Sequence, residues 1–204
     1  MRILDQIEVE DIIFQGRSAP DHMIMAMLDE IESEHPGIYR VIYGEPSEAI
    51  AGINKEMANL YLDLSCDVIW LFVKAFGKPP KIKNEEQWVL EHLSLIDAEL
   101  KSLTNEIPMD KKFRKNLQSR FVKRSFEAQV QLELMQYLEV EVSKYVSFKK
   151  KRSAAAHVTN NLLFVLVRLM GDLYNLLMSP KYYSSYISKD IHSIKILPLS
   201  DEFR

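Results

Sequence analysis

Glycine and proline are scarce in this chain, and most of the few that it has come in small groups. The 204 residues include six glycines and eight prolines, and the groups lie near residues 16–20, 36–37, 44–46, 77–80 and 179–180. Both residue types interrupt helices, so the chain between these groups can run as long helices. Apolar residues recur there at intervals of three and four, which is the period of a helix with one buried face.

This pattern predicts an all-α fold, a bundle of about five long helices joined by short connections. The predicted helices span residues 18–35, 47–76, 84–103, 110–149 and 153–178. Helices of this length exceed the usual average of about 11–12 residues, and they pack well only when each buries its apolar stripe against a neighbour.

Three short apolar runs differ from this pattern and resemble strands more than helices. They are residues 9–14, 38–43 and 194–197. They favour β-branched and aromatic residues, which is typical of strands. We therefore allow for a small appendage of two or three strands, made by the terminal segments of the chain.

The composition suits one folded domain over residues 1–204. Apolar residues make up 47% and charged residues 27% of the chain, which is close to the average of globular proteins and enough for a full core. Within this domain we expect an N-terminal segment with a short helix and irregular or strand-like chain (1–45), the bundle core (46–179) and an irregular tail (180–204).

Charge, cysteine content and the most apolar stretch limit the class of protein. The net charge of −3 excludes a strongly basic nucleic-acid coat but leaves room for a local basic patch. Cys66 is the one cysteine in the sequence, which excludes a disulfide framework and favours a reducing compartment. Residues 162–178 are apolar, but they are short for a membrane span and include Arg168 and Asp172. We expect a cytoplasmic protein with no membrane span.

The last predicted helix is apolar around most of its circumference, but its polar side chains share one line. On a helical wheel they fall within a sector of about 60°. They are His157, Asn161, Arg168, Asp172 and Asn175. Arg168 and Asp172 lie four residues apart, so they can form an ion pair. Two interpretations stay open: the wet edge of a buried helix, or a polar seam that faces a cleft or a partner.

An acidic line flanks the apolar stripe of the predicted helix over residues 47–76. Glu56, Asp63 and Asp67 lie along it, and such carboxylates could hold Mg²⁺ if another helix supplied further oxygen ligands. The segment around the two aspartates resembles the metal-binding helix of the all-helical nucleotide pyrophosphatases related to MazG. That family has a Glu-x-x-Asp pair where this chain has Asp63-x-x-x-Asp67. The resemblance implies a Mg²⁺-dependent nucleotide hydrolase, and the alternative is a solvated acidic flank.

Basic residues dominate residues 110–124, and two of them fall on the apolar stripe of the predicted fourth helix. Arg120 and Arg124 need partners there, because an unpaired buried charge is costly. Those partners are carboxylates on a neighbouring helix or a bound phosphate. The candidate carboxylates are Asp63, Asp67 and Asp172. A candidate anion or RNA site therefore comprises Arg120, Arg124, Lys150 and Lys151.

Arg152 and His157 lie where this basic stretch meets the last predicted helix. Their spacing resembles the Arg-x(4–6)-His motif of the HEPN superfamily, small helical bundles that are often dimeric ribonucleases. The resemblance implies that Arg152 holds the scissile phosphate and that His157 performs acid–base chemistry on the 2′-hydroxyl, without a metal. The position after the arginine, usually an asparagine or another amide or acid, is Ser153 here.

The function that we favour from the sequence is a non-enzymatic interaction or regulatory module. Long amphipathic helices have apolar stripes that a second copy can cover, so we expect a homodimer that needs no cofactor. The first alternative is the ribonuclease, which depends on Arg152 and His157. The second is the Mg²⁺-dependent hydrolase, which depends on Glu56, Asp63 and Asp67.

Overall fold

A computed structural model describes residues 1–103, 108–127, 131–147 and 153–178 of the chain. Nine helices lie within these ranges: α1 (Gln6–Arg17), α2 (Asp21–Glu34), α3 (Pro36–Tyr43), α4 (Glu45–Ile53), α5 (Lys55–Phe76), α6 (Glu85–Leu103), α7 (Lys111–Glu127), α8 (Leu132–Ser147) and α9 (Ser153–Met178). The described residues include no strand, so the all-α prediction is confirmed for them. The predicted strand at 194–197 and the predicted tail lie outside the described residues.

The predicted strand at residues 9–14 is wrong, because these residues belong to α1. The helix begins at a capping box, in which the Asp5 carboxylate accepts the Glu8 N–H at 2.9 Å and the Glu8 carboxylate accepts the Asp5 N–H at 3.1 Å. This arrangement satisfies two backbone donors that a helix start otherwise leaves without partners. The capping box, rather than the β-branched composition, determines the local structure.

The predicted strand at residues 38–43 is also wrong, because it forms most of α3. Glu85, at the start of α6, caps this helix from a distance: its carboxylate accepts the Gly37 N–H at 2.8 Å and the Ile38 N–H at 3.1 Å. A Cβ on residue 37 would lie 2.6 Å from the Glu85 Oε2, so glycine leaves room for the cap. The carboxylate comes from a distant part of the sequence, and a local pattern therefore could not reveal it.

Two of the predicted long helices are each divided in two. The predicted helix over 47–76 breaks at Asn54, whose backbone is extended (φ −158°, ψ 110°) and whose side chain caps α5 by accepting the Met57 N–H at 2.8 Å. Asparagine is favoured at such an N-cap position, because its side-chain oxygen can accept a backbone N–H of the first helical turn.

The predicted helix over 110–149 ends as α7 and resumes as α8 after Gln131. The buried Gln131 side chain donates to the Arg2 carbonyl at 2.8 Å and accepts the Leu4 N–H at 2.8 Å. Its amide thereby holds the extended chain that leads into α1. These contacts join distant parts of the sequence, so helical periodicity cannot reveal them. Periodicity alone therefore predicted one continuous helix.

Helices α5 and α9 pack against each other at the centre of the fold, and α1, α4 and α8 surround them. The Phe72 and Tyr174 rings meet across this contact with centroids 5.6 Å apart. Helix α1 approaches α5 closely at Gly16, where an added Cβ would lie 2.7 Å from the Trp70 ring. The Trp70 indole N–H donates to the Ile12 carbonyl at 3.0 Å, so this side chain helps to fix how α1 lies on the core.

Candidate functional site

The polar line of α9 runs from solvent into the core. His157 and Asn161 are exposed at its start, with the Asn161 Nδ2 3.3 Å from the His157 Nε2. Arg168 and Asp172 are buried, at 2% and 3% exposure. Asn175 is half-buried, and its side-chain oxygen accepts a hydrogen bond from the Met1 amino group at 3.3 Å. The five residues lie on one line of α9, but their exposure to solvent differs.

The buried half of this line belongs to a charge cluster between α6, α7 and α9. Glu99 is 1% exposed; its carboxylate lies 3.4 Å from the Arg120 Nε and 3.8 Å from the Arg168 Nη2. The sequence predicted a carboxylate partner for Arg120 and proposed Asp63, Asp67 or Asp172; the structure shows an ion pair of Arg120 with Glu99, a carboxylate that was not among them. Glu99 lies on the buried stripe of α6, so the test that selected Arg120, a charge on an apolar stripe, could have found it too.

Helix α7 divides its polar side chains between two faces. On the inner face, the Arg114 Nη1 and the Gln118 Nε2 both donate to the Ser102 carbonyl at the end of α6, at 3.1 Å and 2.8 Å. Donors at a helix C-terminus satisfy carbonyls that have no partner within the helix, and a cation there also complements the helix dipole. Of the predicted anion site, Arg120 takes part in the charge cluster. The Arg124 side chain, Lys150 and Lys151 lie outside the described residues.

The outer face of α7 is basic. Lys111, Lys112, Lys115 and Val122 are exposed there, and we call these four residues the basic face. Val122 is 51% exposed, and the sequence has no acidic residue from Lys111 to Val122. Lysines on this face are compact charges on flexible stems. The basic face therefore combines the positive charges of three lysines with one exposed apolar side chain, Val122.

Helix α1 has an outer face of the opposite charge. Ile7, Glu10, Asp11 and Phe14 are exposed there, and we call these four residues the acidic face. Ile7 is 71% and Phe14 is 72% exposed; they are two helical turns apart, about 10 Å along the axis. Glu10 and Asp11 lie between them. This face was not predicted from the sequence, because a strand was expected over residues 9–14, although the signature Asp5-x-x-Glu8 indicates a helix start.

The three acidic residues of α5 are used separately. The Tyr145 hydroxyl donates to the Glu56 carboxylate at 2.6 Å, Asp63 is exposed, and the buried Asp67 accepts a hydrogen bond from the Arg17 Nη2 at 2.8 Å. Burial raises the pKa of Asp67 and the Arg17 guanidinium opposes that rise. Among the described residues, no group of three or more His, Cys, Asp or Glu side chains could hold a metal ion. The magnesium site stays a prediction, with two of its three residues already in contact with other side chains.

The structure describes one of the two residues of the predicted ribonuclease site. His157 is exposed on the first turns of α9, while Arg152 lies outside the described residues. The Asn161 side chain contacts His157, so this histidine has a polar neighbour on an exposed part of α9.

A buried histidine lies at the junction of α2 and α3. His35 is 1% exposed there. Burial lowers the pKa of His35, and the carboxylates of Glu85 and Glu34 act in the opposite direction. Glu85 is the residue that caps α3, so this histidine lies next to a capping interaction that holds two helices together.

Helix α9 contains the one stretch in the described ranges that is long and apolar enough to cross a membrane, Ser153–Leu176, with a mean hydropathy of 1.2. A core helix passes the same test, and 56% of the tested window is buried within the fold. Its contacts with α4, α5, α6 and α8 agree with the interpretation as a core helix.

No protein-family model, no curated protein and no solved structure matches this chain. Its function therefore has to be argued from its own residues.

Proposed function

We propose that this chain is a cytoplasmic helical interaction module that acts as a homodimer, with no enzymatic activity of its own. The observation that supports the proposal is the acidic face of α1, where Ile7 and Phe14 are 71% and 72% exposed. Large apolar side chains that lie singly on a surface need no explanation, but two of them on one face of a well-capped helix offer an anchor for a partner.

The size of this anchor sets the expected strength of association. Burying a large apolar side chain completely contributes about 1.5–3 kcal/mol. Ile7 and Phe14, at 71% and 72% exposure, therefore still have most of that contribution to gain, roughly 1–2 kcal/mol each. Two anchors of this size suit a modest, reversible dimer rather than an obligate one.

The test is the mass of the protein in solution, measured by light scattering after size exclusion, with the variant Phe14→Ala. The substitution removes an apolar anchor without changing the charge of the face, so we expect the dimer dissociation constant to rise by about tenfold, which corresponds to about 1.4 kcal/mol. Phe14 is mostly exposed, so the monomer should keep its thermal stability.

The matched control is Leu90→Ala, which likewise truncates an exposed apolar side chain to alanine. Leu90 is 56% exposed and lies on α6, away from the acidic face. We expect it to leave the dimer unchanged. Equal losses in both variants, or a dimer that Phe14→Ala leaves intact, would rule out α1 as the interface.

The ribonuclease stays as a second candidate because His157 is exposed and has Asn161 beside it. An exposed imidazole can reach a ribose hydroxyl, and histidine is the side chain that most often performs acid–base chemistry in enzymes. The test is cleavage of a labelled single-stranded RNA by the unmodified protein and by His157→Ala. His22→Ala, at an exposed histidine on α2, is the control. Cleavage that is lost only with His157→Ala would favour the ribonuclease over the non-enzymatic module.

A further inference from the structure

The acidic face and the basic face are complementary in three respects. Each lies on the outer side of one helix, each contains exposed apolar surface, and their charges are opposite. Glu10 and Asp11 flank the apolar residues on α1, while Lys111 and Lys115 lie on the same side of α7 as Val122. On a helical wheel these last three fall within about 40° of one another.

Pairing two identical faces would be unfavourable. In a contact between two α1 helices, Glu10 and Asp11 would meet the same acids of the second copy. In a contact between two α7 helices, lysines would meet lysines. Like charges brought together across an interface cost several kcal/mol and suppress that arrangement. A contact between unlike faces instead brings carboxylates to ammonium groups and covers Ile7, Phe14 and Val122.

We propose that the acidic face on α1 of one copy packs against the basic face on α7 of a second copy. This inference rests on the proposed function, and it deepens it by naming the surface that covers the α1 anchors. The lengths are compatible: α1 has 12 residues and α7 has 17, about 18 Å and 25 Å along their axes. An unlike-face contact closes into a dimer if each copy supplies both faces at once, and otherwise extends into a chain of copies.

The experiment compares two charge-reversed proteins by sedimentation equilibrium. One carries Glu10→Lys and Asp11→Lys, so both of its faces are basic. The other carries Lys111→Glu and Lys115→Glu, so both of its faces are acidic. We expect each protein alone to lose at least tenfold in self-association, because its two faces repel each other. We expect an equimolar mixture of the two to recover association to within about threefold of the unmodified protein, because each face again meets its opposite.

The control separates contact from net charge. Lys55 and Lys83 are exposed and lie outside both faces, so Lys55→Glu with Lys83→Glu changes the net charge by the same amount as the basic-face reversal. We expect this protein to associate as the unmodified one does. Circular dichroism melting curves identify any variant that fails to fold, and such a variant is replaced by the single reversal Lys115→Glu or Asp11→Lys.

Several outcomes overturn the inference, and they differ from failure of the proposed function. If the unmodified protein associates but the mixture of reversed proteins stays monomeric, the two faces do not meet. If the basic-face reversal leaves association intact and abolishes binding of a single-stranded RNA 20-mer, the basic face binds nucleic acid instead. If the unmodified protein is monomeric throughout, the proposed function fails as well. Association that weakens as salt is raised, together with recovery in the mixture, supports the pairing.

Discussion

Glu85 and Glu86 are neighbours on α6, and the structure predicts very different consequences for the loss of each carboxylate. Glu85 is 7% exposed and accepts two backbone N–H groups at the start of α3. The Glu86 side chain is 53% exposed, and its carboxylate forms a 2.6 Å ion pair with Arg40, which is itself 68% exposed. Comparing Glu85→Ala with Glu86→Ala therefore isolates the effect of burial and of backbone capping.

The magnitude for Glu85 follows from its two hydrogen bonds. Each buried backbone donor left without a partner costs about 1–3 kcal/mol, and the loss of a negative charge from a helix N-terminus costs about 0.3–1 kcal/mol more. Part of this loss of stability is offset when water forms hydrogen bonds with the Gly37 and Ile38 N–H groups, which the substitution uncovers. We therefore expect Glu85→Ala to lower the free energy of unfolding by about 2–4 kcal/mol, against less than about 1 kcal/mol for Glu86→Ala.

The assay is urea denaturation followed by circular dichroism, with the free energy of unfolding extrapolated to water. Glu85→Gln should lie between the two alanine variants, because its amide oxygen can accept one N–H while its NH₂ group faces the other. A difference below about 1 kcal/mol between Glu85→Ala and Glu86→Ala would refute the argument that this carboxylate caps α3.

Three further predictions concern the core and its charged contacts. Gly16→Ala places a Cβ 2.7 Å from the Trp70 ring, so we expect a loss of about 1–3 kcal/mol in a urea melt despite the better helix propensity of alanine. Burial lowers the pKa of His35, so the folded chain binds a proton there less readily than the unfolded chain does. The stability of the fold should therefore decrease as pH drops below about 6.5, and His35→Phe should remove that slope from the pH dependence of unfolding. Arg17→Met leaves the buried Asp67 without its guanidinium, so we expect a loss of about 1–3 kcal/mol at pH 7 that becomes smaller once acid protonates the carboxyl; a loss independent of pH would contradict this.

The helices that the sequence predicted with accurate bounds are those whose start and end signals are local. Residues 84–103 and 153–178 were predicted, and α6 (Glu85–Leu103) and α9 (Ser153–Met178) match them within one residue. Pro180 lies two residues after the end of α9 and is such a local stop signal. Where the end of a helix depends on a distant side chain, the pattern failed, as in α3, which Glu85 caps, and at Gln131, which binds the N-terminal backbone.

The charged residues followed a similar rule. The sequence showed that Arg120 needs a carboxylate, because a charge on an apolar stripe requires a partner. It could not show that Glu99 is such a partner, since that depends on how α6, α7 and α9 pack. The acidic face of α1 was missed for a different reason: the β-branched residues Val9, Ile12 and Ile13 suggested a strand, although a capping box precedes them.

The most direct test of self-association is the mass of the unmodified protein as a function of concentration, measured by sedimentation equilibrium. One chain has a mass of 23.8 kDa. The account predicts a mass that rises reversibly toward twice this value between about 1 and 200 μM, the range expected for a modest interface. A mass that stays at 23.8 kDa across that range would contradict it, and the exposed Ile7 and Phe14 would then need another partner.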